Sequence, residues 1–203
     1  MGRRRGEALL LDRTSKLLAV AMIAAGLLAV SLACAGTDPS TRAQRAPTAS
    51  GHGYALLHAI LEQEKQVSQL LIIKRDREAL GSVIDEIAET CGSASKQLET
   101  LAARSPRLDL SDTGLPAEEV QTRLAIGATR RDLLLASTGN ELELQLLLTQ
   151  VEALTYAGHL ADTLSRSEPD PERLAFVRAL WKDLSNLLYD VQGLLRRPAR
   201  STG

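Results

Sequence analysis

The chain has 203 residues, 24 of them basic and 25 acidic, for a net charge of −1. That balance, without a basic patch or aromatic interleaving, excludes the electrostatic footprint of nucleic-acid binding. Aromatic side chains make up only 2 % of the sequence, which argues against a strand-rich fold and toward helix.

The first element is an export signal. Arg3, Arg4, Arg5, Arg13 and Lys16 outweigh Glu7 and Asp12, and the run LLAVAMIAAGLLAVSLAC over 17–34 carries no charge. A basic start, an apolar middle and a small-residue exit are the parts of a segment that is exported and cleaved. The ending Val30-Ser31-Leu32-Ala33-Cys34 resembles the lipobox of bacterial lipoproteins. The resemblance implies removal of residues 1–33, a diacylglycerol on the sulfur of Cys34, and a protein held to a membrane by that lipid. Ala35 is not the aspartate that retains lipoproteins at the inner membrane, so in a cell with two membranes the resemblance implies the periplasmic face of the outer one. Two alternatives stay open on the residues alone. One is an uncleaved anchor, since 17–33 is at the short end for spanning roughly 30 Å of hydrocarbon; the other is an ordinary secretory signal.

Residues 35–52 are small, polar and proline-containing, so 34–52 reads as a lipidated cysteine followed by a flexible tether. With Cys34 committed to lipid, Cys91 has no intramolecular partner. It falls on an apolar helical face, where a free thiol acts as a small hydrophobe, and the exported domain must be held by its core. Residues 53–197 are expected to form that domain, with 198–203 a disordered tail.

The domain reads as helix throughout. Leu80, Ile84, Ile87, Cys91, Ala94, Leu98 and Leu101 alternate steps of four and three. The same spacing recurs in Val177, Leu180, Leu184, Leu187, Val191 and Leu194, and in Leu147, Val151, Leu154, Gly158 and Ala161. Ser105-Pro106 and the acidic stretch 109–114 close one long arm, 53–103. Pro116 then sits at the start of the next helix, with Glu118 and Glu119 at its positive end. Glu168-Pro169-Asp170-Pro171 separates the second arm, 117–166, from a last helix that opens at Pro171. The apolar stripe shifts midway along each arm, so each is either two helices or one bent helix. Thr138 and Glu141 have capping-box spacing and Gly139 disfavours helix, which places a break near 138. The expected fold is all-α: an antiparallel bundle of four main helices, with short or bent segments in addition.

Two polar features stand out. Glu64 lies in the stripe Leu57, Ile60, Val67, Leu71, and Arg131 lies in the stripe Val120, Leu124, Gly127, Leu134. A buried carboxylate must pair, coordinate or take up a proton, so a Glu64–Arg131 ion pair is the expected solution, with a solvent-open edge or a ligand role as alternatives. The second feature is the stripe Glu141, Gln145, Glu152, Tyr156 and His159 on one helical arc. It is either a wet face or the lining of a groove that binds a ligand. His58 and Glu62, one turn apart, form half a site.

No Glu precedes His52, His58 or His159 by three residues, so the Glu-x-x-His pairs of ferritin-like di-iron bundles are missing. Nor does the sequence hold HExxH, a phosphate-binding glycine loop, G-x-S-x-G or a cysteine cluster. No catalytic residue, metal ligand set or cofactor is assigned. The sequence points to a membrane-tethered, non-catalytic binding, scaffold or adaptor module of the cell envelope, partnered by an envelope protein or by a second copy of itself. The alternative is a bundle that binds a metal or small ligand, with redox activity in view, using Glu64, Glu141, Glu152 and His159 together with His58 and Glu62.

Overall fold

The computed structural model describes residues 49–68 and 78–196. The export signal, Cys34, residues 35–48 of the tether, Leu71 and the tail lie outside them. Five helices follow in order: α1 (Ala49–Glu64), α2 (Glu78–Ala102), α3 (Ala117–Ala136), α4 (Gly139–Ser165) and α5 (Pro171–Leu195). No strand occurs among the described residues, so the fold is all-α. None of these helices is long and apolar enough to cross a membrane.

Among the described residues each arm carries two helices. The second divides at the expected place, between Ala136 and Gly139, although not by the expected bond. Thr138 occupies the N-cap position with extended backbone, but its side chain makes no capping hydrogen bond. The break rests on Gly139, whose φ of +55° suits a residue without Cβ, and on Ser137, whose hydroxyl turns back to the Leu133 carbonyl at 2.8 Å. In the first arm, α1 ends at Glu64 and the backbone turns through 65–67. At its other end, α1 opens at Ala49, ahead of Gly53 and inside the stretch whose composition suggests a tether.

The best-defined helix start is that of α5. The Asp170 carboxylate accepts from the backbone N–H of Glu172 at 3.0 Å and of Arg173 at 2.9 Å, and Pro171 supplies a pre-set first turn. For α3, Pro116 is the N-cap, and Glu118 and Glu119 stand in the first turn, where the helix dipole favours negative charge.

The heptad-spaced seams of α2 and α5 are buried at every position, Leu80 to Leu101 and Val177 to Leu194. On α4 the seam is buried at Leu147, Leu154, Gly158 and Ala161 and half-buried at Val151. Each leucine removed from water in this way contributes about 1.5–3 kcal/mol before conformational entropy is charged against it. The largest interface joins α4 to α5; α1 packs on α2 and on α4, and α5 packs on α2. Close backbone approach is visible where α1 meets α4: a Cβ on Gly53 would lie 2.8 Å from Leu164 Cδ2.

Polar groups tie the helix ends together. Tyr54 donates to Glu168 at 2.6 Å, and burial together with that carboxylate pushes its phenol well above the ordinary range. Arg173, buried at the head of the α5 seam, donates through Nη2 to the carbonyls of Leu101 and Arg104, each at 3.5 Å, and to that of Pro106. These include carbonyls at the C-terminal end of α2, which lack helical partners and carry the negative end of its dipole.

The outlier is α3. It rests on α4 through a small contact, and Leu134 is its only buried residue. Leu124, Ile126, Leu133 and Leu135 on α3, and Leu144 and Leu148 on the first turns of α4, are exposed. The other large exposed apolar side chains among the described residues are Tyr156 on α4 and Trp181 and Tyr189 on α5.

Candidate functional site

Glu64 is buried, as its place in an apolar stripe requires, with 6 % of its surface exposed. Its partner is not the expected arginine. The carboxyl hydrogen-bonds to Gln150 of α4, and the cation acting on it is Arg130, which itself bridges to Glu152. Arg131 instead turns to its neighbour Asp132, at 3.1 Å from Nε and 2.9 Å from Nη2. The physical reason lies in α3: its apolar stripe is only lightly covered, so Arg131 sits at a half-exposed edge and takes the nearest acid. Burial pushes the Glu64 carboxyl up to about 7, against the lowering pull of Gln150 and Arg130. Behind it, burial and the Glu64 charge push the Cys91 thiol up to about 12. Cys91 is accordingly a core residue, far from the thiolate form that would make it a nucleophile. Gln150 Oε1 has no hydrogen-bond partner, although the residue is 2 % exposed.

The polar stripe on α4 faces α3 and water. Glu152 pairs with Arg130, and the Arg123 guanidinium lies 5.6 Å from the centre of the Tyr156 ring, within cation–π range. Glu119 holds Arg123 from one turn away at 2.7 Å. Glu141 is exposed in the first turn of α4, His159 is exposed farther along, and Gln145 is half-buried. Arg130 stands between Glu64 and Glu152, and the pairs with α3 account for Glu152 and Tyr156; among the described residues, Glu64, Glu141, Glu152 and His159 join no group of three possible metal ligands.

His58 and Glu62 do acquire a second half. Glu99 reaches them from α2, and among the described residues this is the one group of three His, Cys, Asp or Glu side chains whose ligand atoms all lie within 4.8 Å of one another. His58 Nε2 lies 3.2 Å from Glu99 Oε1. Glu62 Oε1 accepts from Lys65 Nζ and from Ser95 Oγ, each at 2.5 Å. Burial raises the Glu62 carboxyl, but the Lys65 and Ser95 hydrogen bonds outweigh it and hold the group below its usual range. His58 is half-buried and Glu99 mostly exposed, so the trio stands at the rim of the α1–α2 seam, open on one side.

Sequence reasoning missed Glu99, Ser95, Gln150 and Arg173. Glu99 carries no signal of its own, because pairing it with His58 requires the register of α2 on α1. The others were marked. Ser95 adjoins Cys91, Ala94 and Leu98, Gln150 lies between Leu147 and Leu154, and Arg173 lies one turn before Val177. Each is a polar residue in or beside an apolar seam.

The arrangement offers an imidazole and two carboxylates at one edge and a buried carboxyl in the core, and on its outer side an apolar helical surface. No family model, curated protein or solved structure matches the chain.

Proposed function

We propose that the chain is an exported, lipid-anchored binding module of the cell envelope, an adaptor that acts through contact rather than catalysis. In this reading α1, α2, α5 and α4 form an antiparallel four-helix bundle, and α3 is its docking element. The antiparallel order is supported by contacts that join the start of one helix to the end of its neighbour: Gly53 with Leu164, Arg173 with Leu101, and the pairs His58–Glu99 and Glu62–Ser95 in opposing order.

The observation that carries the function is the clustering of exposed aliphatic side chains. Among the described residues, six of the nine exposed large apolar side chains fall between Leu124 and Leu148, on one helical hairpin. Single exposed leucines are ordinary, whereas a concentration of them on a lightly packed helix marks an interaction surface. Three acidic and three basic residues on α3 cancel, which favours an apolar helical face of another protein over a strongly charged partner. The lipid at Cys34 would place that surface beside a membrane, and it has its own check: the intact mass of membrane-extracted protein should show cleavage before Cys34 and added acyl chains.

The test is photocrosslinking in intact cells from the full chain, with the reactive group at Ile126 or Leu133 and, as control, at Tyr189 of α5. A protein adduct obtained from α3 positions and not from Tyr189 supports the adaptor. Equal yields from all three positions, or none from α3, would refute it. Adducts between copies of the chain alone would make the partner a second copy.

A further inference from the structure

We propose that His58, Glu62 and Glu99 form a binding site for a divalent first-row transition-metal ion of the zinc type, with Ser95 orienting Glu62 and Lys65 competing with the ion. The inference does not depend on the adaptor reading, since it concerns the α1–α2 edge and leaves α3 untouched.

The donor set comes first. One imidazole nitrogen and two carboxylate oxygens suit zinc and its neighbours, whereas calcium and magnesium take all-oxygen shells. Spacing agrees with the chemistry. His58 and Glu62 are separated by one turn of α1 and lie on one face, and Glu99 faces them from α2. Ligand atoms sharing a tetrahedral ion at about 2.0–2.2 Å stand roughly 3.3–3.6 Å apart. The His58–Glu99 separation of 3.2 Å is already there, and the outer limit of 4.8 Å for the trio closes by rotation of a carboxylate.

The support around Glu62 is also that of a metal ligand. Ser95 is 1 % exposed and donates its hydroxyl to Glu62 Oε1, which fixes the carboxylate from behind as outer-shell groups do. Lys65 reaches the same oxygen on a flexible side chain that remains 38 % exposed. Its positive charge balances one carboxylate, so an arriving dication exchanges with an ammonium that water readily accepts. Glu99, with 56 % of its side chain exposed, leaves an entry path and room for a water molecule in the fourth position. An ion there would add a further link between α1 and α2 to the apolar seam and the Ser95–Glu62 hydrogen bond that already join them.

The test uses the full chain, purified in detergent, stripped with chelator and titrated with zinc chloride by calorimetry. One saturable equivalent is expected. His58→Ala and Glu99→Gln should each weaken it at least tenfold, and Ser95→Ala should weaken it about tenfold without touching a ligand atom. Lys65→Met should tighten it, the opposite of what a purely structural ion pair would do. His52→Ala and His159→Ala should leave it unchanged. Zinc at a hundredfold excess over Kd should also raise the Tm by about 5–10 °C. The proposal is overturned by an absence of saturable binding, by a Kd indifferent to His58→Ala, or by weaker binding in Lys65→Met.

Discussion

Glu64 and Gln150 face each other in a core where water is scarce, and the protonation of one decides how well both are satisfied. A carboxyl held at about 7 in the folded chain, against an ordinary 4.5, binds its proton more tightly when folded. The neutral form therefore adds stability that is complete below pH 4.5 and is lost as pH rises through 7, a difference of about 3 kcal/mol. Urea unfolding in chelator should show the chain less stable at pH 8 than at pH 5. Glu64→Gln should flatten that slope and raise stability at pH 8, because an amide is neutral and can donate to the orphaned Gln150 Oε1. A wild-type midpoint that does not move between the two pH values would sink this account. Arg173 presents the reverse case, a buried charge whose Nη2 is turned to three backbone carbonyls. Arg173→Met would take that donor from the carbonyls of Leu101, Arg104 and Pro106, of which Leu101 keeps the Arg104 N–H, and should cost about 2–4 kcal/mol in the same measurement. The two N-caps separate as well. Asp170→Ala should cost about 1 kcal/mol, whereas Thr138→Ala, whose hydroxyl caps nothing, should change stability by a few tenths.

Helices differ in how far sequence periodicity reaches. In α2 and α5 the four-three spacing marks the buried face residue by residue, because each has neighbours enough to cover a whole seam. Proline and aspartate placed the start of α5, and Gly139 placed the start of α4. The stripe on α3 looks similar on paper, yet only Leu134 is buried, since spacing records what a helix can bury and not whether another helix covers it. The expected Glu64–Arg131 pair failed for that reason: it assumed that α3 packs as deeply as α1. The candidate site was half legible. His58 and Glu62 are neighbours along one helix, and Glu99 became their partner through the register of α2 on α1, which local pattern does not encode. A mutational contrast tests the standing of α3. Leu134→Ala should cost about 2–3 kcal/mol, while Ile126→Asp and Leu133→Asp should each stay within about 0.5 kcal/mol by thermal melting. Under the proposed function those two aspartates should nevertheless remove the crosslinked partner. A large loss of stability from either would mean that α3 is part of the core.

At the scale of the whole molecule, a core of leucine, isoleucine and valine carries the stability without help from a disulfide, since the thiol of Cys91 is free and buried. Most of the chain's aromatic residues have been left at the edges of that core. Its sole tryptophan, Trp181, is 47 % exposed on the outer side of α5. This has an optical consequence. An indole already in water when the protein is folded changes its emission little when the chain unfolds, so intrinsic fluorescence should trail circular dichroism as a reporter of melting. The same solvated indole is a sensitive reporter of anything that covers α5. A partner seated on α3 alone should leave the emission wavelength where it is, and a blue shift on binding would place the partner on α5.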